Sequence, residues 1–234
     1  MSDTPICAVV ICTRNRGKLL EQAVQSALEQ TEGTENQVLV VDNGSSDSTP
    51  QLLEACAKQY RSLHWMREDR PGLSCARNRA LQASAGDVLV FVDDDATLCP
   101  SYLSTLRAFW RARRPAVAGG PIDVRYVDEA PPWWSPAFDS YCGAFTLGEA
   151  VQTLHFSRYP QGANIAVDRK AALAAGGFNE RLGVGPRGPW SGEEMELCAR
   201  LDASGHAILY HPCLRVTHHV YRRHRTRRWL LRAA

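Results

Sequence analysis

Five apolar residues, Val88 to Val92, lead directly into three aspartates, Asp93, Asp94 and Asp95. The length and the β-branched residues of the apolar run predict a strand that is buried on both faces. Ligands of open α/β sheets bind at the carboxyl ends of strands, which is where the aspartates fall. Adjacent negative charges repel one another, and a divalent cation with oxygen ligands would neutralise them. The alternative for three aspartates alone is a solvated acidic turn.

Strand, polar loop and helix follow one another three times before this acidic cluster. Strands are predicted over 6–13, 38–41 and 63–66, and helices over 18–30, 50–60 and 74–85. Such alternation is typical of a mainly parallel sheet with helices on both faces. Right-handed crossovers place the strand-end loops on one edge, so the loops at Thr13, Asp42 and Asp93 should meet there.

The second half of the chain is less regular. Further helices are predicted over 100–114, 169–175 and 193–204, and strands over 117–124, 165–167, 207–210 and 214–218. Between them, residues 126–148 form a segment rich in proline and aromatic residues, including Trp133 and Trp134. This composition favours a substrate-facing loop. The alternative is a hydrophobic plug over the edge of the sheet.

The 234 residues suffice for one large domain, predicted over 1–219 with halves at about 1–120 and 121–219. The eight cysteines contain no Cys-x-x-Cys pair, which favours a reducing compartment over a disulfide framework or zinc site.

We find no signal-peptide pattern and no membrane-span pattern, so the expected location is cytoplasmic. Residues 220–234 form a basic tail, and Arg215 to Ala234 holds seven arginines and no acidic residue.

Seven motifs occur in an order that resembles one family. They are Val-Val-Ile-Cys-Thr-Arg-Asn-Arg at 9–16, Val-Val-Asp-Asn-Gly-Ser-Ser-Asp-Ser-Thr at 40–49, Pro-Gly-Leu-Ser-Cys-Ala-Arg-Asn at 71–78, Phe-Val-Asp-Asp-Asp at 91–95, Gly-Ala-Asn at 162–164, Gly-Gly-Phe-Asn-Glu at 176–180 and Ser-Gly-Glu-Glu-x-Glu-Leu at 191–197. Over residues 5–219 the chain resembles the family-2 inverting glycosyltransferases. That resemblance implies the GT-A fold, with a mainly parallel Rossmann-like central sheet and a smaller mixed region on the acceptor side.

The resemblance also implies a nucleotide diphosphate sugar donor, with a UDP-sugar favoured, and a divalent metal, Mn²⁺ or Mg²⁺. Asp93 and Asp95 are the expected carboxylate ligands, His218 is the expected third ligand, and Asp94 is the expected ribose contact. His219 would point the other way on an extended segment. The alternative is that both histidines are ordinary surface residues.

Further donor contacts are expected from the residues that follow the first strands. Thr13, Arg14 and Arg16 would line the base and phosphate pocket, and Asp42, assisted by Asn43, would accept the ring N–H of uracil. The alternative for Asp42 is a turn residue that binds its own backbone. The planar guanidinium of Arg77 suits a phosphate or base contact.

The same resemblance implies a general base at the start of the late helix. The family pattern there is Glu-Asp, whereas this chain has Glu193-Glu194, so Glu194 is the expected base and Glu193 remains a possible substitute. Acidic residues in a first turn also favour the helix dipole, which is the alternative explanation. The acceptor side is expected to hold Trp133, Trp134, Gly162, Ala163 and Asn164.

These features predict an inverting transfer of a sugar to an acceptor hydroxyl, in cell-surface polysaccharide or glycoconjugate synthesis. The acceptor would be a sugar, a lipid-linked molecule or a small molecule, and no nucleic acid is expected. The basic tail allows peripheral contact with the inner face of the membrane, or simple packing on the domain. A nucleotidyltransferase or a non-catalytic nucleotide-sugar-binding protein is the alternative function.

Overall fold

The computed structural model describes residues 4–31, 33–185, 191–221 and residue 226. The predicted basic tail lies almost wholly outside the described residues. Within the described part of the chain, no helix is both long enough and apolar enough to cross a membrane.

Eleven strands and six α-helices make up the described fold. The strands are β1 Cys7–Thr13, β2 Gln37–Asp42, β3 Leu63–Arg67, β4 Val88–Asp93, β5 Ala96–Leu98, β6 Val117–Gly119, β7 Ile122–Tyr126, β8 Gln152–Thr153, β9 Asn164–Asp168, β10 Ile208–Tyr210 and β11 Val216–Val220. The helices are α1 Gly17–Thr31, α2 Thr49–Gln59, α3 Leu73–Ala83, α4 Tyr102–Arg113, α5 Arg169–Ala174 and α6 Glu193–Ala203. A 3₁₀ helix covers Pro136–Cys142.

The central sheet has eight strands in the order β3-β2-β1-β4-β9-β6-β10-β8. The first four are parallel, as the alternation of strands and helices predicts. Strand β9 runs antiparallel to both β4 and β6, and β10 returns parallel to β6. The half of the sheet that follows the acidic cluster is therefore mixed, in agreement with the expected smaller mixed region.

Helices cover both faces of this sheet. One face of β1, through Val9 and Ile11, shares a core with α1, α2 and α4, and the other, through Ala8 and Val10, shares a core with α3, α5 and α6. All four of these strand residues are at most 1% exposed. Burying a side chain of this size contributes roughly 1.5–3 kcal/mol for valine or isoleucine. The predicted doubly covered sheet is confirmed.

The strand predicted over 117–124 is two strands in different sheets. Strand β6 ends at Gly119 in the central sheet, and β7 begins at Ile122 in a three-stranded sheet of order β5-β11-β7. A Cβ on Gly119 would lie 2.4 Å from the Cβ of Pro160, and one on Gly120 would lie 2.0 Å from the carbonyl oxygen of Leu214. The prediction of one strand was wrong, since the chain changes sheets between β6 and β7, where two glycines leave room for Pro160 and the Leu214 backbone.

The small sheet also contains β5, a three-residue strand that the pattern of apolar residues did not predict. Strand β5 begins directly after Asp95 and pairs antiparallel with β11, so that His218 lies opposite Ala96. This register carries a distant segment of the chain back to the acidic cluster.

Asn164 was expected on the acceptor side, but its side chain is fully buried. Its Nδ2 donates to the carbonyl oxygens of Pro121 at 3.0 Å and Leu214 at 2.8 Å. Its Oδ1 accepts from the hydroxyl of Tyr102 at 2.6 Å. In this structure Asn164 therefore satisfies backbone groups where the chain changes sheets, and its place on the acceptor side stays a prediction.

Replacing Asn164 with alanine should lower the free energy of unfolding by about 3 kcal/mol, because two carbonyl groups and a hydroxyl lose their buried partner. Tyr102→Phe, which removes one of these bonds, should cost about 1 kcal/mol. Urea denaturation, followed by tryptophan fluorescence, measures both values. A smaller loss for Asn164→Ala than for Tyr102→Phe would contradict the assigned role.

Candidate active site

A cavity of about 710 Å³ opens at the carboxyl ends of β1 and β4. Its described lining is Cys12, Thr13, Arg14, Arg16, Asn43, Gly72, Leu73, Ala76, Asp93, Asp94, Asp95, Val184, Gly185 and His218. The structure thus brings together Thr13, both arginines, Asn43, the three aspartates and His218, all of which the sequence predicts as site residues. The cavity lies at the sheet edge where ligands of α/β proteins bind.

Asp94 faces the residues that follow β1. The hydroxyl of Thr13 donates to Asp94 Oδ2 at 2.7 Å, and Arg16 lies 3.7 Å from its other oxygen. Burial raises the pKa of Asp94 to about 7, although the charge of Arg16 opposes the shift. Arg16 also lies 4.0 Å from Asp95, so one cation serves two carboxylates and remains half-buried at the cavity wall.

Asp93, Asp95 and His218 form the predicted metal-ligand group. One donor atom from each residue lies within 4.8 Å of the other two. His218 Nε2 lies 3.0 Å from Asp95 Oδ1. Burial lowers the pKa of His218, but the hydrogen bond to Asp95 and the charges of Asp95 and Asp93 outweigh it and raise the pKa to about 9. The imidazole nitrogen that is expected to bind the metal therefore bonds to Asp95 in this structure.

The chemistry of these donors fits Mn²⁺ or Mg²⁺. Two carboxylates supply hard oxygen ligands, and an imidazole nitrogen is acceptable to Mn²⁺. His218 Nδ1 donates to the carbonyl oxygen of Cys142 at 2.7 Å, which directs Nε2 towards the acids. His219 points away, as expected for a strand, and its Nε2 is bonded to the hydroxyl of Thr97 at 3.0 Å.

Arg77 was expected to contact the donor, but its guanidinium is buried beneath the cavity. It lies beside the rings of Phe91 and Phe178, 5.7 Å and 5.4 Å from their centroids, which are themselves 5.2 Å apart. Its Nη1 donates to Glu193 Oε1 at 2.7 Å, and its Nη2 donates to the carbonyl of Gly162 at 3.1 Å. The structure therefore joins Arg77 to the late helix, and it does not open this side chain to the described cavity.

The first turn of α6 places both glutamates beside Arg77. Glu194 Oε2 lies 3.9 Å from Nη1, and Asp93 Oδ1 lies 4.0 Å from Nη2 on the other side. The guanidinium of Arg77 thus separates the two predicted base residues from Asp93, a predicted metal ligand. Burial raises the pKa of Glu193, the charge of Arg77 opposes that shift, and the charge of Glu194 adds to it.

Gly162 and Ala163 were expected on the acceptor side, and the structure places Gly162 against the same group. A Cβ at Gly162 would lie 2.7 Å from Arg77 Nη2 and 3.4 Å from the carboxyl carbon of Glu194. Ala163 is 8% exposed and follows in the buried approach to β9. A glycine is therefore needed here to admit the guanidinium.

Asp42 and Asn43 are bound mainly by the protein itself. Asp42 Oδ1 accepts from the backbone N–H of Ser45 at 3.0 Å, and Oδ2 accepts from Arg67 at 3.1 Å. Asn43 Nδ2 donates to the carbonyls of Glu68 and Arg70, and Oδ1 accepts from the backbone of Gly72. Asn43 lines the cavity and fixes the loop that carries Gly72, whereas the fully buried Asp42 is not part of the described lining.

The aromatic segment has its own hydrogen-bonded core. Trp134 Nε1 donates to the hydroxyl of Tyr126 at 2.7 Å, and that hydroxyl donates to Asp139. Trp133 packs edge-on against Trp134 with ring centroids 5.6 Å apart. This segment contains the 3₁₀ helix whose last residue, Cys142, accepts the hydrogen bond from His218. The predicted substrate-facing loop is thus joined to the predicted metal site.

Several contributors to the site carry no chemical signal in the sequence. Val184 and Gly185 line the cavity, and the carbonyl of Val184 accepts from the backbone N–H of Leu73. The motif at 71–78 marks the position of Gly72 and Leu73, but it does not show that their backbone forms a wall. The sequence does not indicate the role of the Cys142 carbonyl either, because every residue has a backbone carbonyl.

A family model described as "Glycosyl transferase family 2" matches residues 8–173. The chain belongs to glycosyl transferase family 2. It is 27% identical over 230 residues to the glucosyl-dolichyl phosphate glucuronosyltransferase of Haloferax volcanii, covering 96% of this chain and 72% of the relative. It is also 27% identical over 205 residues to the succinoglycan biosynthesis protein ExoM of Rhizobium meliloti, covering 86% of this chain and 63% of that protein.

Solved structures confirm the GT-A fold of this family 2 member. GalNAc-T7, crystallised with UDP, GalNAc and Mn²⁺, matches with a TM-score of 0.72 at 19% identity, over 94% of this chain and 45% of that one. The mannosyltransferase PcManGT of Pyrobaculum calidifontis, in complex with GDP-Man and Mn²⁺, matches with a TM-score of 0.65 at 20% identity, over 92% and 56%. The chain thus spans about half the length of these two structures.

We expect His218→Ala to weaken Mn²⁺ binding by about 10-fold to 100-fold, because one of the three predicted protein ligands is lost. His219→Ala is the matched control, since the adjacent imidazole is bonded to Thr97 and should leave the affinity within about threefold. Isothermal titration with Mn²⁺ in the presence of UDP measures both. Equal losses in the two variants would remove His218 from the ligand set.

Proposed function

We propose that this protein is an inverting glycosyltransferase that moves a sugar from a nucleotide diphosphate sugar to an acceptor hydroxyl. The observation that carries the proposal is the grouping of Asp93, Asp95 and His218 in a cavity of a family 2 chain. Two arginines line the same cavity, and Glu194 lies behind it across Arg77. Such an arrangement combines leaving-group stabilisation with a base.

The donor diphosphate would lie beside Arg14 and Arg16, the two arginines that line the cavity. Guanidinium groups bind phosphate oxygens through paired N–H donors, so they suit the two phosphates. Asp94, held by Thr13, would accept a ribose hydroxyl. We propose a UDP-sugar as donor, which the family resemblance and the UDP bound to GalNAc-T7 support.

Asp93, Asp95 and His218 would hold Mn²⁺ or Mg²⁺, a choice supported by the Mn²⁺ in both structural neighbours. When bound, the ion supplies positive charge that offsets the negative charge growing on the departing diphosphate. Hydrogen bonds to Asp95 and to the carbonyl of Cys142 hold the imidazole of His218 in place for the ion. Arg16 adds a second positive charge on the opposite side of Asp95.

The acceptor hydroxyl requires a base because a neutral hydroxyl is a weak nucleophile. In the proposed step its oxygen forms a bond to the anomeric carbon while the bond from that carbon to the phosphate oxygen breaks. The hydroxyl proton passes to Glu194, and the electron pair leaves with the nucleotide diphosphate. A single displacement of this kind inverts the configuration of the anomeric carbon.

The acceptor belongs to cell-surface polysaccharide or glycoconjugate synthesis in this proposal. Support comes from the two relatives, whose names refer to a glucosyl-dolichyl phosphate and to succinoglycan biosynthesis. The segment with Trp133 and Trp134 would receive the acceptor, since it adjoins the His218 side of the site. Aromatic rings offer apolar surface to sugars and lipids alike.

Glu194→Gln should lower kcat by about 10²-fold to 10⁴-fold, because the amide cannot take the hydroxyl proton. Affinity for the nucleotide should stay within about threefold, since Glu194 lies outside the described donor cavity. The matched control is Glu196→Gln on the same helical turn, where the native carboxylate pairs with Arg200 at 2.7 Å. Similar turnover in wild type and Glu194→Gln would overturn the assignment of the base.

A nucleotide diphosphate should raise the melting temperature only when Mn²⁺ is present, because ligands that bind the folded state stabilise it by mass action. At about 100 times Kd, the gain is about 2.7 kcal/mol, enough for a clear thermal shift. UDP, GDP and dTDP, each with and without Mn²⁺, form the test panel. The proposal expects the largest shift from UDP, and a larger shift from GDP would correct the donor class. No shift from any nucleotide would contradict the proposed function.

A further inference from the structure

One carboxylate oxygen of Glu193 has an unusual environment in the cluster that Arg77 forms with Glu193, Glu194 and Asp93. Glu193 is 3% exposed, and its Oε2 is buried without a hydrogen-bond partner among the described residues. Its other oxygen, Oε1, accepts from Arg77 at 2.7 Å. A charged carboxylate oxygen that is buried without a donor is costly, whereas a protonated one carries its own donor.

The surrounding charges point in the same direction. The single guanidinium of Arg77 lies within 4.0 Å of oxygens of Glu193, Glu194 and Asp93. Asp93 is partly exposed and also faces His218, so the charges left without a balance are those of the two buried glutamates, which share one guanidinium. Cys12 of β1, which approaches the same group, adds no positive charge. A proton on one carboxyl group relieves this excess, and Glu193 is the most buried of the three.

We propose that Glu193 is a neutral carboxylic acid that donates its O–H to Glu194 and thereby orients the base. This inference rests on the proposed function, in which Glu194 is the base. Glu193 is then a positioning residue, because it acts on the reaction through Glu194 and touches no reacting atom. The carbonyl oxygen of the neutral acid still accepts from Arg77, so the observed 2.7 Å contact is kept.

The bond from Glu193 would do two things for Glu194. It would fix one carboxylate oxygen, leaving the other to face the acceptor hydroxyl. It would also favour the charged form of Glu194, because a hydrogen bond donated to a carboxylate stabilises its charge. Glu193 itself is poorly placed to be the base, since Arg77 occupies one oxygen and protein surrounds the other.

The direction of the Glu193 pKa agrees with this geometry. Burial raises the pKa of Glu193, and the charge of Arg77 opposes the rise. The charge of Glu194, and the hydrogen bond that only a protonated Glu193 can make to it, raise the pKa further. The groups that face Glu193 are Arg77 from α3, Glu194 from its own helix, Asp93 from β4 and Cys12 from β1.

The first test compares Glu193→Ala with Glu193→Gln. Alanine should lower kcat by about 100-fold with the donor KM within about threefold, because the base loses its orienting donor. Glutamine should restore most of that loss, since its amide accepts from Arg77 and donates to Glu194 as a neutral acid does. If Glu193→Gln is as inactive as Glu194→Gln, Glu193 is itself the base and the inference is wrong.

The second test does not depend on turnover. The infrared difference spectrum of wild type minus Glu193→Gln at neutral pH should contain the carbonyl band of a protonated carboxyl group. Asp94, whose pKa is raised to about 7, is common to both proteins, so its band cancels in the difference. Exposed Glu54, which pairs with Lys58 at the surface, supplies the control, and wild type minus Glu54→Gln should show no such band. A difference spectrum for Glu193→Gln without the band would show that Glu193 is ionised and would overturn the inference.

The two tests separate this inference from the proposed function. A wild-type protein that loses the band on Glu193→Gln but transfers no sugar would refute the function and leave the protonation of Glu193 standing. A wild-type protein that transfers sugar but shows no such band would keep the function and refute the inference.

Discussion

The buried positive charge of Arg77 ties the halves of the molecule together at the site. Its guanidinium starts from α3 in the parallel half and reaches α6 and the approach to β9 in the other half. A charge in this position requires partners, and removing one partner of a buried pair typically costs about 3–5 kcal/mol. Phe91 and Phe178 pack beside this cation, and the lack of a side chain at Gly162 leaves room for it.

The same constraint explains why so many acidic groups can share one sheet edge. Without positive charge from elsewhere, the aspartates that follow β4 would repel each other and the glutamates of α6. Arg77 serves one end of this group and Arg16 the other, while His218 bonds to Asp95 between them. The carboxylates nearest the cavity are left incompletely neutralised, which is a state that a cationic ligand would relieve.

The sequence predicts the parallel half of the fold well, because each β-α unit there is decided by local periodicity. It predicts the meeting of Thr13, Asp93 and His218 only by combining topology with family resemblance. The change of sheets at Gly119 and Gly120 escapes such reasoning, since it depends on Pro160 and Leu214, which are distant in sequence. Apolar pattern alone reads both segments as one strand.

The roles of individual polar residues are also underdetermined by motifs. Asn164 lies in a motif with Gly162 and Ala163, yet its side chain forms hydrogen bonds with Tyr102 and two backbone carbonyls. Arg77 has the side chain of a phosphate ligand, and its neighbours make it an internal counter-ion. In both cases the number of partners already bound decides the role. A polar side chain whose hydrogen-bonding groups are occupied inside the protein builds the site, whereas Arg14 and Arg16, which line the cavity, are the arginines that we propose for the substrate.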